Sequence, residues 1–158
     1  MTGIEHVTNA AINAWKQQIS RIDQIVAASA DADLEREVAP GRNRLYYLIG
    51  HLAAVHDRMF TVLGVGERRY TELDATFIEN PDSKTPAIAA TELRRIWSDV
   101  NSRLTAALEQ VEPEAWLTRH NSVSDEDFAK NPLRHRLSVL TARTVHAAFH
   151  LGQMQLTQ

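Results

Sequence analysis

No cysteine occurs in the 158 residues, which excludes disulfides, thiolate metal ligands, iron–sulfur clusters and a cysteine nucleophile within the chain. An excess of basic charge is missing as well: 17 Lys+Arg stand against 20 Asp+Glu, a net charge of -3. No basic cluster is dense enough to neutralise several phosphates, so nucleic acid is not an expected partner. Long apolar runs are also lacking. The most apolar stretch, residues 45–55, is about half of the roughly 20 residues that span a bilayer, and His51 interrupts it, so no membrane association is expected. The opening Met-Thr-Gly-Ile-Glu-His has no basic residue before Lys16 and no apolar core, which argues against a secretory leader and for a cytoplasmic location. Short alternating runs of Val, Ile and Thr between turn residues are absent too, and no strand is expected.

What is present is a helical pattern in a chain of one-domain size. Hydrophobic residues at 44% and charged residues at 23% lie near the soluble globular average, and the length suits a single domain, 1–158, around one core. Over residues 4–30 the apolar positions Ile4, Val7, Ala11, Trp15, Ile19 and Ile22 alternate steps of three and four, which predicts an amphipathic helix. A second run over 42–63 ends at Gly64-Val65-Gly66, a helix stop. Residues 67–84 show no sustained period and form a long crossover connection or lid. Thr85-Pro86 reads as a cap followed by proline at the first helical position, opening a third helix that runs to about Gln110. Glu112-Pro113-Glu114 breaks it, and the polar residues 118–130 make a second long connection. Asn131-Pro132 repeats the cap-plus-proline pattern before a fourth helix that continues to the end of the chain. Four helices of roughly 20–27 residues predict an all-α four-helix bundle.

The chemistry is concentrated in histidines. His146 and His150 stand at i and i+4 on the fourth helix, with Cβ atoms about 5–6 Å apart, a spacing that lets two imidazoles share one metal ion. Ala147 occupies the place where a zinc protease needs its glutamate base, which excludes that class. No Glu is followed three positions later by His, which excludes the di-iron bundles. A third ligand has to come from another helix, and the second helix offers His51 and His56 about 140° apart. His51 is flanked by Leu48, Leu52 and Val55, whereas His56 adjoins Asp57 and Arg58, so His51 is the core-facing choice. Gln153, one turn beyond His150, is a candidate to orient a ligand imidazole. Arg143, three residues before His146, is a candidate clamp for an anionic substrate. Tyr47 is a candidate for the wall of a substrate pocket, and Trp15 and Tyr46 read as pocket mouth or core.

The step Gly50-His51-Leu52 in an apolar second helix resembles the DinB superfamily of four-helix metalloproteins, as does the C-terminal Thr144-Val-His146-Ala-Ala-Phe-His150-Leu-Gly152-Gln153. The likeness spans nearly the whole chain, including Trp15 and the segment Asn131-Pro-Leu-Arg-His-Arg-Leu, and its most specific part is the H-x-x-x-H-x-G-Q ending. It implies a mononuclear site of one second-helix and two fourth-helix histidines, which places the ligands at His51, His146 and His150. It also implies a divalent ion, zinc or nickel first and iron next, together with a homodimer. Characterised relatives are metal-dependent transferases or isomerases that use a low-molecular-weight thiol, such as mycothiol-dependent maleylpyruvate isomerase. A small electrophilic molecule is then the expected substrate, and hydrolysis is an allied reaction. The alternatives are a non-catalytic metal- or ligand-binding bundle of the bacterial stress response, and bis-histidine haem ligation across the second and fourth helices.

Overall fold

A computed structural model of the chain describes residues 1–84 and 87–158. Its six α-helices are α1 (Gly3–Ala28), α2 (Leu45–Leu63), α3 (Leu73–Phe77), α4 (Ala90–Glu109), α5 (Asp125–Lys130) and α6 (Arg136–Met154). Short 3-10 turns cover Asp31–Glu35, Pro113–Leu117 and Gln155–Thr157, and no strand occurs among the described residues. The long helices α1, α2, α4 and α6 have 26, 19, 20 and 19 residues. They match the four expected from periodicity, while α3 and α5 are single short helices inside the two long connections. Packing runs α1 on α6 and α2 on α4, with α2–α6 and α1–α4 contacts closing the ring.

Local chemistry sets the helix ends. At α1, Thr2 Oγ1 accepts from Glu5 N–H while the Glu5 carboxylate accepts from Thr2 N–H, a reciprocal capping box. Gly64 closes α2 in the left-handed conformation at φ 66°, which costs a glycine nothing. Three starts differ from the sequence expectation. α2 begins at Leu45 because Arg44, extended at ψ 159°, gives its N–H to Asp82 Oδ2 at 2.9 Å. α4 begins at Ala90, since the Tyr46 hydroxyl accepts from the N–H groups of Ala87 and Ile88 and donates to Ile88 O, all at 2.9 Å, holding that segment out of a helix. The Thr85-Pro86 pair itself lies outside the described residues. α6 begins at Arg136 because Asn131 Oδ1 accepts from Leu133 N–H in a local turn. His135 then caps the helix, its Nδ1 accepting from Ser138 N–H at 3.1 Å.

α2 is the central element, with 15 of its 19 residues buried. A helix apolar on nearly every side needs cover on nearly every side, and the connection between α2 and α4 supplies the outer cover. Phe77 of α3 lies 1% exposed against it. That connection is fastened by buried ions. Asp57, with no exposed surface, accepts from Arg68 Nε at 3.1 Å and from the N–H groups of Arg69 and Tyr70 at 3.0 and 3.2 Å. Asp82 and Arg44 are each 3% exposed, joined through Nη2 at 2.8 Å and Nε at 3.1–3.2 Å, while Arg44 Nη1 reaches Glu35 at 2.6 Å. Burial raises the Asp82 carboxyl, but the hydrogen bonds from Arg44 outweigh it and bring the pKa down to about 2.

Removing one partner of a buried pair leaves the other charge uncompensated, at about 3–5 kcal/mol. Glu35 still faces Arg44 when Asp82 is gone, so Asp82→Ala is expected to cost about 3 kcal/mol, the lower end of that range, read from the urea midpoint at constant m-value.

Candidate metal centre

His51 sits mid-way along α2 and faces His146 and His150 on α6. Their Nε2 atoms converge: His51 to His146 is 3.3 Å and His150 to His146 is 3.0 Å. The three rings meet edge-on, at interplanar angles of 71°, 72° and 82°. An ion bound at 2.0–2.1 Å holds tetrahedral nitrogen ligands about 3.3 Å apart and right-angled ones about 2.9 Å apart. The observed separations fall in that window, and the group could hold one metal ion.

The second nitrogens fix which tautomers are present. His51 Nδ1 lies 2.7 Å from Phe77 O, and a carbonyl only accepts, so the proton is on Nδ1. His150 Nδ1 lies 2.6 Å from the Gln153 side-chain oxygen, which fixes the same tautomer. Both Nε2 lone pairs therefore point at His146 Nε2. A proton on that atom satisfies one neighbour, whereas a cation between the rings satisfies all three. His146 Nδ1 is buried and finds no hydrogen-bond partner among the described residues. Burial, and then the neighbouring His150, His51 and Arg143, push the His146 pKa down to about 4. Burial also lowers His150 against the raising effect of Gln153. Both are neutral at pH 7, the form a metal requires.

Gly50 makes the Phe77 contact possible. A Cβ there would stand 2.3 Å from the Phe77 ring, so only glycine lets α2 and α3 approach closely enough for the Phe77 carbonyl to reach His51. Tyr47, one turn before His51, stacks on its ring at 6.2 Å and 12° and donates its hydroxyl to Asn80 O at 2.7 Å. It backs the imidazole and is not among the residues that line the cavity beside it. Beside His51 and His146 opens a cavity of about 390 Å³, with Arg58 and Arg143 at its edge and Met59 and Val62 among its apolar lining. Trp15 is core, fully buried with Nε1 donating to Thr105 at 3.1 Å.

His56 is placed differently from the sequence expectation. Its charged neighbours suggest an outward side, yet it has no exposed surface. Nδ1 meets Asn101 Oδ1 at 2.7 Å, and the ring stands edge-on to Trp15 at 4.7 Å. The neighbour Asp57 is buried by the Arg68–Tyr70 segment, so its charge does not mark a solvent face. Sequence reasoning also missed Phe77, whose backbone carbonyl leaves no signal in residue type, and Arg58, which Asp74 holds through Nε at 3.0 Å and Nη2 at 2.8 Å.

A family model described as the DinB superfamily matches residues 14–154. The chain belongs to the DinB superfamily. The matched segment contains all three histidines and both arginines of the cavity. A comparison with curated proteins finds no match. Among the described residues no helix of this DinB-superfamily chain is long and apolar enough to cross a membrane.

Burial pushes His56 down to about 3, against an ordinary value of 6.5. The unfolded chain therefore takes up the proton first, so stability is complete above about pH 6.5 and falls as the pH drops toward 3, by up to about 1.4 kcal/mol per unit. Urea midpoints at pH 7, 6 and 5 should show that slope in the natural chain and a shallower one in His56→Gln. Gly50→Ala should drive Phe77 away and release the His51 Nδ1 proton from its acceptor. Imidazole ¹⁵N spectra would then show mixed His51 tautomers where the natural chain shows one.

Proposed function

We propose that His51, His146 and His150 bind a single divalent ion through Nε2, and that the chain is a mononuclear metal-dependent enzyme. The observation that carries this reading is the convergence of three Nε2 atoms, two with their tautomers fixed from behind, at the wall of an open cavity. Zinc or nickel, and after them iron, suit three imidazoles. Three protein ligands leave a coordination position free, as in catalytic rather than structural sites. Such an ion lowers the pKa of a thiol or water brought to that position, which supplies the nucleophile that a cysteine-free chain lacks.

The protein's own part is positioning. The Phe77 carbonyl and the Gln153 amide keep two imidazoles in their ligating tautomers, partners whose loss typically weakens metal binding 10–100-fold. Tyr47 prevents His51 from turning. The cavity holds the second reactant beside the ring nitrogens and excludes bulk water on its Met59 and Val62 side. The reaction we infer is a thiol-dependent transfer or isomerisation, or a hydrolysis, of a small electrophilic molecule. Membership of the superfamily supports a homodimer, and the sequence reading supports one cytoplasmic domain over 1–158.

Metal content by mass spectrometry of tag-free protein, reconstituted with zinc, nickel or iron, tests the reading. Near one ion per chain is expected. His146→Ala/His150→Ala should hold less than a tenth of that at unchanged circular dichroism. No metal in the natural chain after reconstitution overturns the proposal and leaves a ligand-binding helical protein.

A further inference from the structure

Beside the histidines, the cavity has a polar edge of one sign. Arg143 on α6 and Arg58 on α2 both line it, and no carboxylate does among the described residues. The two guanidiniums differ in how they are held. Arg58 gives Nε and Nη2 to Asp74, so its head is fixed and its charge largely balanced. Arg143 is exposed and has neither a hydrogen bond nor an ion pair among the described residues. It stands one turn before His146, three residues back along α6, on the side of the helix that reaches the cavity. Its five N–H donors are therefore available to something that enters. The rest of the lining is apolar, with Met59, Val62 and Ile78 facing the same space. At about 390 Å³ the cavity falls in the lower part of the range of small-molecule sites.

We propose that this cavity selects a small carboxylate with a short apolar body, whose carboxylate pairs with Arg143 while its hydrocarbon part lies on Met59, Val62 and Ile78. The proposal rests on the metal reading for the reactive end of the ligand, but the anion subsite is built from residues that bind no metal. A carboxylate suits it better than a phosphate. A planar guanidinium takes either anion through two parallel hydrogen bonds, so charge and cover decide: one negative charge balances the one unpaired arginine, and only a ligand with hydrocarbon covers the apolar wall. An ion at the histidines adds positive charge beside the same space, and three neutral ligands leave that charge uncompensated. The field in the cavity then favours anions further, with a dependence on salt.

Calorimetric titration of the full chain, metal-free and zinc-loaded, with hexanoate, hexan-1-ol and inorganic phosphate tests this. Hexanoate is expected to bind at least tenfold more tightly than hexan-1-ol, and more tightly still with zinc. Arg143→Gln should remove at least tenfold of the hexanoate affinity while zinc content and circular dichroism stay unchanged. Arg143→Lys should recover part of it, and Arg134→Gln, in the turn before α6 and outside the cavity lining, should change nothing. Equal affinity for hexanoate and hexan-1-ol, absence of hexanoate binding in both forms, or undiminished binding in Arg143→Gln overturns the proposal. Phosphate competing as well as hexanoate through Arg143 overturns the choice of carboxylate. A chain that takes up no zinc defeats the metal reading alone, because the metal-free titration still decides the anion subsite.

Discussion

The close approach of Phe77 to Gly50 is the constraint on which the candidate centre depends. Because residue 50 has no side chain, the Phe77 ring lies directly on the backbone of α2, at a distance where any Cβ would overlap it. The same approach brings the Phe77 carbonyl to His51 and fixes the proton on Nδ1. One packing contact thus decides the tautomer of an imidazole on a different helix, and with it the direction of the Nε2 lone pair toward α6. It also gives the otherwise all-round apolar α2 its outer cover, so the packing of the core and the chemistry of the site share one cause.

That contact persists only if the connection between α2 and α4 stays in place, and apolar burial by α3 alone is small for five residues. Ionic fastenings on both sides of Phe77 fix its position. Asp57 and Asp74 hold Arg58 and Arg68 before and beside it, and Arg44 holds Asp82 after it. Buried pairs of this kind add little net stability over apolar replacements, because desolvation offsets much of the attraction. Their contribution here is to specify one position for the segment: a shifted connection leaves buried charges unpaired, which is costly, whereas a shifted apolar segment could slide with little loss. A site whose geometry must hold to a few tenths of an ångström benefits from that kind of fastening.

The parts of this arrangement that were legible in the sequence are those set by local geometry. His146 and His150 are neighbours by helical spacing alone, and His51 declares its direction through Leu48, Leu52 and Val55. The four long helices follow from apolar periodicity, and Gly64 marks an end that only a left-handed residue makes. The parts that were not legible are set by partners far along the chain. His56 reads as outward because Asp57 and Arg58 follow it, but Asp57 is neutralised inside the protein by residues 68–70, which periodicity in α2 cannot register. Asn131-Pro132 reads as a helix start, yet Asn131 uses its side chain on its own turn two residues on and leaves His135, an uncommon cap, to begin α6. Phe77 acts through a backbone carbonyl that every residue type possesses. Gly50 was visible as part of a motif, but the reason for a glycine there appears only when Phe77 is seen to occupy the place of its Cβ.

Charge links the centre to the cavity beside it. Metal sites in helical bundles that are rich in glutamate neutralise their ions with ligand carboxylates, whereas three neutral imidazoles give a divalent ion geometry and no compensation. Among the described residues, no carboxylate lines the cavity beside the three histidines. Asp74, which holds the cavity residue Arg58, is committed to Arg58 and Arg68, and Arg143 adds a further positive charge one turn from His146. The unpaired arginine also explains in part why His146 stays neutral, since its field opposes a second positive charge on the ring. Burial is the larger cause of that neutrality, but the positive charge of Arg143 remains available to an incoming anion. Ligand neutrality thus rests first on burial, whereas the anion preference proposed for the cavity rests on the unpaired charge at position 143 and on the apolar wall beside it, so the two are separable properties of neighbouring residues.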